Sequence, residues 1–341
     1  MKDSNSDALN VKFVGAYNKG KNLCQEDADK LKAQLTQEPS ILEARCCLLG
    51  FHSNTQSASS TRLWVRHAKW LISGFAGETF TRLILRPPSN ISKQQTEALF
   101  RVWTTACGRS ARNANVFGNA ASFFRWFSDD MAEPYYKKAK RLEPNNYLWA
   151  KALVHLYVRR ARLELNEDRK RALLLAFKDG DAFVQRFHNE PHHMVQTYEV
   201  LESLSKLALD FGRLKRASRY IESITQLTDD FAGQAKNVST LLRGRLALKR
   251  GDLSKAKNYL LRAGKLGFSR DLTLARELSE RGEIRAVEKY LELCSTRPDI
   301  SEMDSVRLKE WRKQLKQGQQ PDLRFTKNRS QDKAMERYER D

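Results

Sequence analysis

The sequence has few cysteines and lacks the long apolar runs that membrane proteins need. Its five cysteines are odd in number, irregularly spaced and without a CxxC motif. This pattern disfavours a disulfide framework or a zinc site and predicts a reducing compartment. No window approaches the roughly 18 apolar residues of a membrane helix, and the first residues carry no apolar run of signal-peptide length. We therefore expect a cytoplasmic protein without membrane insertion.

The sequence signatures of common enzymes are also absent. The chain contains no GxSxG, HExxH or GxxxxGKS/T motif, so we predict that it is not an enzyme and needs no cofactor. His188, His192 and His193 lie close together in the sequence, but Pro191 interrupts the helical spacing that would bring two of them to one metal. We interpret this segment as a loop between repeats and predict no metal site.

Acidic residues are too few to balance the basic ones. Lysine and arginine total 61 against 41 aspartates and glutamates, which gives a net charge of +20. Residues 136–178 contain 12 basic and 4 acidic side chains, and residues 236–270 contain 10 and 1. This charge favours anionic partners: acidic protein segments, nucleic acid or an anionic membrane surface. For each basic residue taken singly, a solvated helix surface is the alternative interpretation.

Residues 115–144 have the pattern of two short helices joined by a tight turn. Apolar residues recur in steps of three and four in both halves. Small side chains at Ala120 and Ala132 would let the helices approach closely, and Phe123 and Tyr136 would fill the space beside them. Because such a pair cannot bury its apolar face alone, it predicts neighbouring pairs.

A related segment occurs three times in the second half of the chain. FGRLKRASRYIESITQL, from Phe211, aligns with RGDLSKAKNYLLRAGKL, from Arg250, at matched positions 39 residues apart. A third copy, RGEIRAVEKYLELC, follows the second at an offset of 31 residues. We expect a glycine where the chain reverses and a small residue where the helices cross. The matched glycines are Gly212, Gly251 and Gly282, and the matched small residues are Ala217, Ala256 and Val287.

These patterns resemble the tetratricopeptide repeat (TPR) over roughly residues 110–295. The chain is also similar to uncharacterised bacterial TPR proteins in the segments 48–50, 70–72, 119–124 and 321–325. The resemblance implies a scaffold that holds a peptide or partner helix on its concave face, and it brings no established activity. The positions that match the repeat best are Ala120, Phe123, Ala132, Tyr136, Ala139 and Pro144.

The predicted fold is all-α, with antiparallel helix pairs stacked in a right-handed superhelical solenoid. Gly15 and Gly20 interrupt any helical period near the start, and we expect Asp179–Asp181 to separate two apolar segments. The predicted parts are a poorly ordered segment at 1–24, divergent helical repeats at 25–110, a TPR-like array with a capping helix at 111–318, and a polar, disordered tail at 319–341.

The candidate binding residues are three cations and two aromatic side chains. The repeat alignment puts Lys206 and Arg245 on equivalent first-helix positions facing the groove, and Lys249 follows Arg245 by one turn. Phe117 and Phe124 are the predicted apolar contacts. We predict a non-enzymatic protein–protein interaction scaffold with a basic bias toward acidic peptide or protein partners. The alternative is an RNA- or DNA-binding helical-repeat protein that contacts phosphates through its basic clusters.

Overall fold

The computed structural model describes residues 3–55, 57–227 and 234–325, and within these stretches the chain is helical and contains no β-strand. The predicted all-α fold is therefore confirmed. The helices are α1 Asp3–Gly20, α2 Gln25–Gln37, α3 Leu42–Asn54, α4 Ala58–Phe75, α5 Thr79–Ile84, α6 Lys93–Arg109, α7 Ala114–Phe124, α8 Asp129–Leu142, α9 Tyr147–Leu163, α10 Asn166–Phe187, α11 Met194–Asp210, α12 Leu214–Leu227, α13 Gln234–Lys249, α14 Leu253–Leu266, α15 Thr273–Ser279, α16 Ile284–Ser295 and α17 Glu302–Lys316.

Successive helices fold back on one another as pairs, and the pairs stack. Helix α7 packs on α8, α11 on α12 and α13 on α14, each across a short turn. In the C-terminal part α11 also contacts α13, and α14 contacts α16, so that neighbouring pairs share their apolar faces. This is the helix-pair repeat that the sequence predicts.

The chain forms two compact units, an N-terminal one that extends to Leu153 and a C-terminal one that begins at Val154. The boundary between them lies inside α9. Helices α5 and α6 both pack against α7, so the earlier helices belong to the same unit as the pair α7 and α8.

Helix α1 begins at Asp3, in a segment that the sequence predicted to be poorly ordered. Its Phe13 and Tyr17 are buried, and α1 packs along α3. Gly20 and Gly50 permit this close approach. A Cβ atom on Gly20 would overlap the carbonyl of Cys47, and one on Gly50 would overlap the carbonyl of Tyr17. The glycine that suggested a break is therefore a contact point between helices.

Side-chain caps begin several helices at the positions that the sequence marks. Ser92 and Gln95 form a capping box at the start of α6. Asn113 accepts hydrogen bonds from the first backbone amides of α7, and Ser128 does the same for α8. Between these two helices the small residues of the crossing, Ala120 and Ala132, are fully buried as predicted.

In the C-terminal unit, glycines reverse the chain between the helices of each pair. Gly212, Gly251 and Gly282 have φ angles of 66°, 85° and 81°, in the left-handed region that other residues avoid. The third pair is shorter because its first helix, α15, has 7 residues whereas α13 has 16. This deletion accounts for the repeat offset of 31 rather than 39 residues.

Two further segments differ from the sequence prediction. Helix α10 continues through Asp179–Asp181. Gly180 lies against Leu204 of α11, where a Cβ atom would overlap the leucine side chain, so the glycine permits helix packing and does not mark a break. After α17 the chain reverses at Gly318, whose φ is 73°. Residues 319–325 then return to the unit, so that this part of the predicted tail is ordered, and Leu323 is buried.

Candidate functional site

Arg245 on α13 lies at the centre of a network of ion pairs in the C-terminal unit. Its guanidinium donates to Glu277 of α15 at 2.7 and 3.0 Å, and to Asp210 of α11 at 2.9 Å. Only 5% of the residue is exposed. Burial alone would lower the pKa of Arg245, but the two carboxylates raise it above its usual value. Arg245 is thus a buried, fully charged link between three first helices.

Lys206 on α11 is also held by two carboxylates. Its ammonium lies 2.7 Å from Glu202 and 2.7 Å from Asp271. Burial would raise the pKa of Asp271, yet Lys206 and the hydrogen bonds from Thr273 hold it at about 2. Asp271 is therefore ionised in all ordinary conditions, and Lys206 is neutralised from within the protein.

Lys249 is the most accessible of the three predicted cations. Its side chain is 36% exposed, and its ammonium lies 3.6 Å from Glu277, a carboxylate that Arg245 already engages. The pairing is therefore loose, and Lys249 has hydrogen-bonding capacity to offer an incoming group.

Arg245 and Lys249 share the carboxylate of Glu277, and Lys206 lies one helical turn before Asp210, which Arg245 contacts, so carboxylates accompany all three cations. We call this surface the mixed-charge face. The local excess of positive charge in residues 236–270 does not extend to it, because its acidic side chains come from α11, α15 and the connection before α15. The mixed-charge face consists of Glu202, Lys206, Asp210, Arg245, Lys249, Asp271 and Glu277.

Basic side chains without ionic partners lie instead on the second helices of the repeats. Arg213 and Lys215 at the start of α12 are exposed, as are Arg262 and Lys265 on α14. None of the four has an ion-pair partner within residues 3–55, 57–227 and 234–325. Sequence counting could not separate these cations from the paired ones, since both kinds fall in the same basic clusters.

The two predicted aromatic contacts lie in the N-terminal unit and differ in their environment. Phe124 is only 1% exposed, and its ring packs edge-on against Phe100 at 5.1 Å and Tyr135 at 4.7 Å. It is a core residue. Phe117 is half-buried and lines an open groove. Of the two, only Phe117 presents a surface that a partner could contact.

The groove beside Phe117, which we call the α6–α8 groove, has a volume of about 560 Å³. One wall comes from α6, the other from α8, and Phe117 of α7 lies between them. Its lining is mostly apolar. Burial raises the pKa of the Cys107 thiol to about 11, so this side chain is neutral and acts as a small apolar group. The residues that define the groove include Cys107, Gly108, Phe117, Pro134, Tyr135 and Lys138.

Comparison with known proteins finds similarity to solved structures and none to sequence families. No protein-family model matches the chain, and no curated protein matches it. The crystal structure of yeast Tom70 is similar in structure with a TM-score of 0.46 and 15% sequence identity. The similarity covers 93% of this chain and 65% of the Tom70 chain, so this chain spans less than two thirds of that protein. The similarity to bacterial TPR proteins stays a prediction.

The helices of the described part of the chain were compared with the requirements for crossing a membrane. No helix there combines the length and the apolar character needed to cross a bilayer.

Proposed function

We propose that this protein is a non-enzymatic scaffold that holds a segment of a partner protein against the mixed-charge face. The observation that carries the proposal is the network itself: charged side chains from α11, α13 and α15 are held in fixed positions on one surface by their mutual ion pairs. Because these side chains are already ordered, they lose less conformational entropy when a partner binds than mobile side chains would.

The predicted bias toward acidic partners depends mainly on Lys249. Arg245 is buried and Lys206 has two carboxylates of its own, so neither is available without rearrangement. Lys249 shares one carboxylate and keeps 36% of its side chain exposed. A carboxylate of the partner could therefore pair with Lys249 without displacing Arg245 or Lys206 from their own carboxylates.

A pull-down with nuclease-treated lysate of the source cells tests this proposal. The full chain is compared with Lys249→Glu and with Lys215→Glu, which changes the net charge equally at an exposed position on α12. We expect protein partners that survive nuclease treatment, that bind Lys215→Glu normally and that fail to bind Lys249→Glu. Partners that disappear with nuclease, or that bind both variants alike, would contradict it.

Nucleic acid binding is the second candidate function, and the second helices favour it. Arg213, Lys215, Arg262 and Lys265 are exposed and without ionic partners in the described part of the chain. Such side chains can contact phosphates without first breaking an ion pair within the protein.

If these side chains contact phosphates, a labelled single-stranded RNA 20-mer should bind with a steep salt dependence. Replacing all four with alanine should then flatten the slope by up to about 0.7 for each phosphate that is no longer neutralised. No binding of the oligonucleotide by the full chain at low salt would remove this candidate.

A further inference from the structure

We infer that the α6–α8 groove is a second partner-binding surface, which takes an apolar side chain of a protein segment whose neighbouring carboxylate pairs with Lys138. The inference rests on the proposed scaffold function and adds the chemistry of the bound segment. The groove lies wholly in the N-terminal unit, whereas the mixed-charge face lies wholly in the C-terminal unit.

The floor of the groove is suited to an aliphatic or aromatic side chain. Phe117 and Tyr135 lie with ring centroids 6.2 Å apart, and Phe124 fixes the Tyr135 ring from below by an edge-on contact. Pro134 adds a rigid apolar surface on α8. Aromatic rings that are already held in place bury a large area at a small entropic cost, which is typical of anchor positions in protein interfaces.

The positive charge at the groove favours a negatively charged partner segment. The ammonium of Lys138 lies 5.9 Å from the ring centroid of Phe117. It has no ion-pair partner among the described residues, whereas its neighbour Lys137 is paired with Glu133. An apolar side chain resting on Phe117 therefore brings an adjacent residue within reach of an uncompensated cation. A carboxylate there gains a charge-assisted hydrogen bond, while a lysine or arginine would be repelled.

The opposite wall of the groove is open because α6 carries a glycine there. A Cβ atom on Gly108 would have no atom within 4 Å, so a large side chain at this position can occupy the groove without disturbing the helix. Gly74 on α4 gives a matched control, since it is also helical, exposed and without a neighbour within 4 Å, but does not line the groove. Both substitutions remove a helix-destabilising glycine, so neither variant should unfold.

The experiment selects a phage library of random 12-residue peptides on the immobilised full chain and measures the affinity of the enriched peptides by fluorescence anisotropy. We expect enriched peptides with Leu, Phe or Trp within two residues of Asp or Glu. Gly108→Trp should weaken their binding about tenfold or more, as when an interface anchor loses its pocket. Gly74→Trp should leave it unchanged, and Lys138→Glu should weaken acidic peptides specifically.

Three outcomes would overturn the inference: no enriched peptide, enriched peptides that are basic, or peptides that bind Gly108→Trp as tightly as the unchanged protein. In the last case the peptides bind elsewhere, and the scaffold function stands while the groove assignment fails. The scaffold function itself is tested separately by the pull-down: it fails if nuclease-resistant partners bind Lys249→Glu as well as they bind the unchanged protein.

Discussion

Replacing Arg245 with methionine should destabilise α13 more than any other single change on the mixed-charge face. Methionine keeps the apolar stem but removes the guanidinium, so that Glu277 and Asp210 lose their shared cation. The Glu277 side chain is 13% exposed and that of Asp210 33% exposed. The two carboxylates would then keep only their outer cations, Arg162 at 3.2 Å from Asp210 and Lys249 at 3.6 Å from Glu277.

The size of the effect follows from this exposure. Removing one partner of a fully buried ion pair costs about 3–5 kcal/mol. Because Asp210 is partly solvated and can recover hydration, we expect about 2–3 kcal/mol for Arg245→Met. Adding Glu277→Gln should restore about half of this loss, since it removes the more buried of the two carboxylates that lose the guanidinium. Lys249→Met should cost less than about 1 kcal/mol, as for a loose surface pair.

Native-state hydrogen exchange of peptides from α13 is the appropriate assay, because two compact units need not unfold together and a single melting temperature would average over them. The reasoning is refuted if Arg245→Met and Lys249→Met change the exchange of α13 equally. It is refuted as well if Glu277→Gln fails to restore any protection in the Arg245→Met background.

Two further predictions concern the N-terminal unit. His52 and His67 are buried with stacked rings 5.9 Å apart, and burial lowers their pKa values to about 4 and about 3. Below about pH 6.5 the unfolded chain therefore binds more protons than the folded chain. The free energy of unfolding should decrease as the pH is lowered, by about 2 kcal/mol per histidine between neutral pH and pH 5. His67→Phe should remove the contribution of His67 to the decrease in melting temperature between pH 7 and pH 5. An unchanged pH dependence in this variant would contradict the assignment. Gly50→Ala should cost about 1–3 kcal/mol or more, because its Cβ overlaps the backbone carbonyl of Tyr17. Gly15→Ala, with nothing within 4 Å, should be neutral or stabilising in the same urea titration, and equal effects would show that α1 does not pack this closely on α3.

The C-terminal repeats could be predicted because their signals are local. A glycine that follows an apolar helix and precedes another marks a turn, and Gly212, Gly251 and Gly282 all adopt the positive φ that this requires. Gly20 and Gly180 are the same residue type in a different role, since each makes room for a neighbouring helix. Nothing adjacent in the sequence distinguishes the two roles, because the neighbour that requires the glycine lies on another helix.

The candidate site was harder to predict, for a related reason. Positions equivalent by repeat put Lys206 and Arg245 on the first helices α11 and α13, but the charge count used only residues near them in the chain. The carboxylates of Asp210, Asp271 and Glu277 come from neighbouring repeats and compensate the cations. Likewise, helical spacing cannot tell that Phe117 borders a groove while Phe124 is covered by Phe100 and Tyr135.

Hydrogen exchange of the full chain with and without a purified, nuclease-resistant partner tests the central claim most directly. If the partner binds the mixed-charge face, peptides from α11 and α13 that contain Lys206, Arg245 and Lys249 should become protected, and this protection should disappear in Lys249→Glu. Protection confined to the second helices α12 and α14, or an unchanged pattern in Lys249→Glu, would contradict the account.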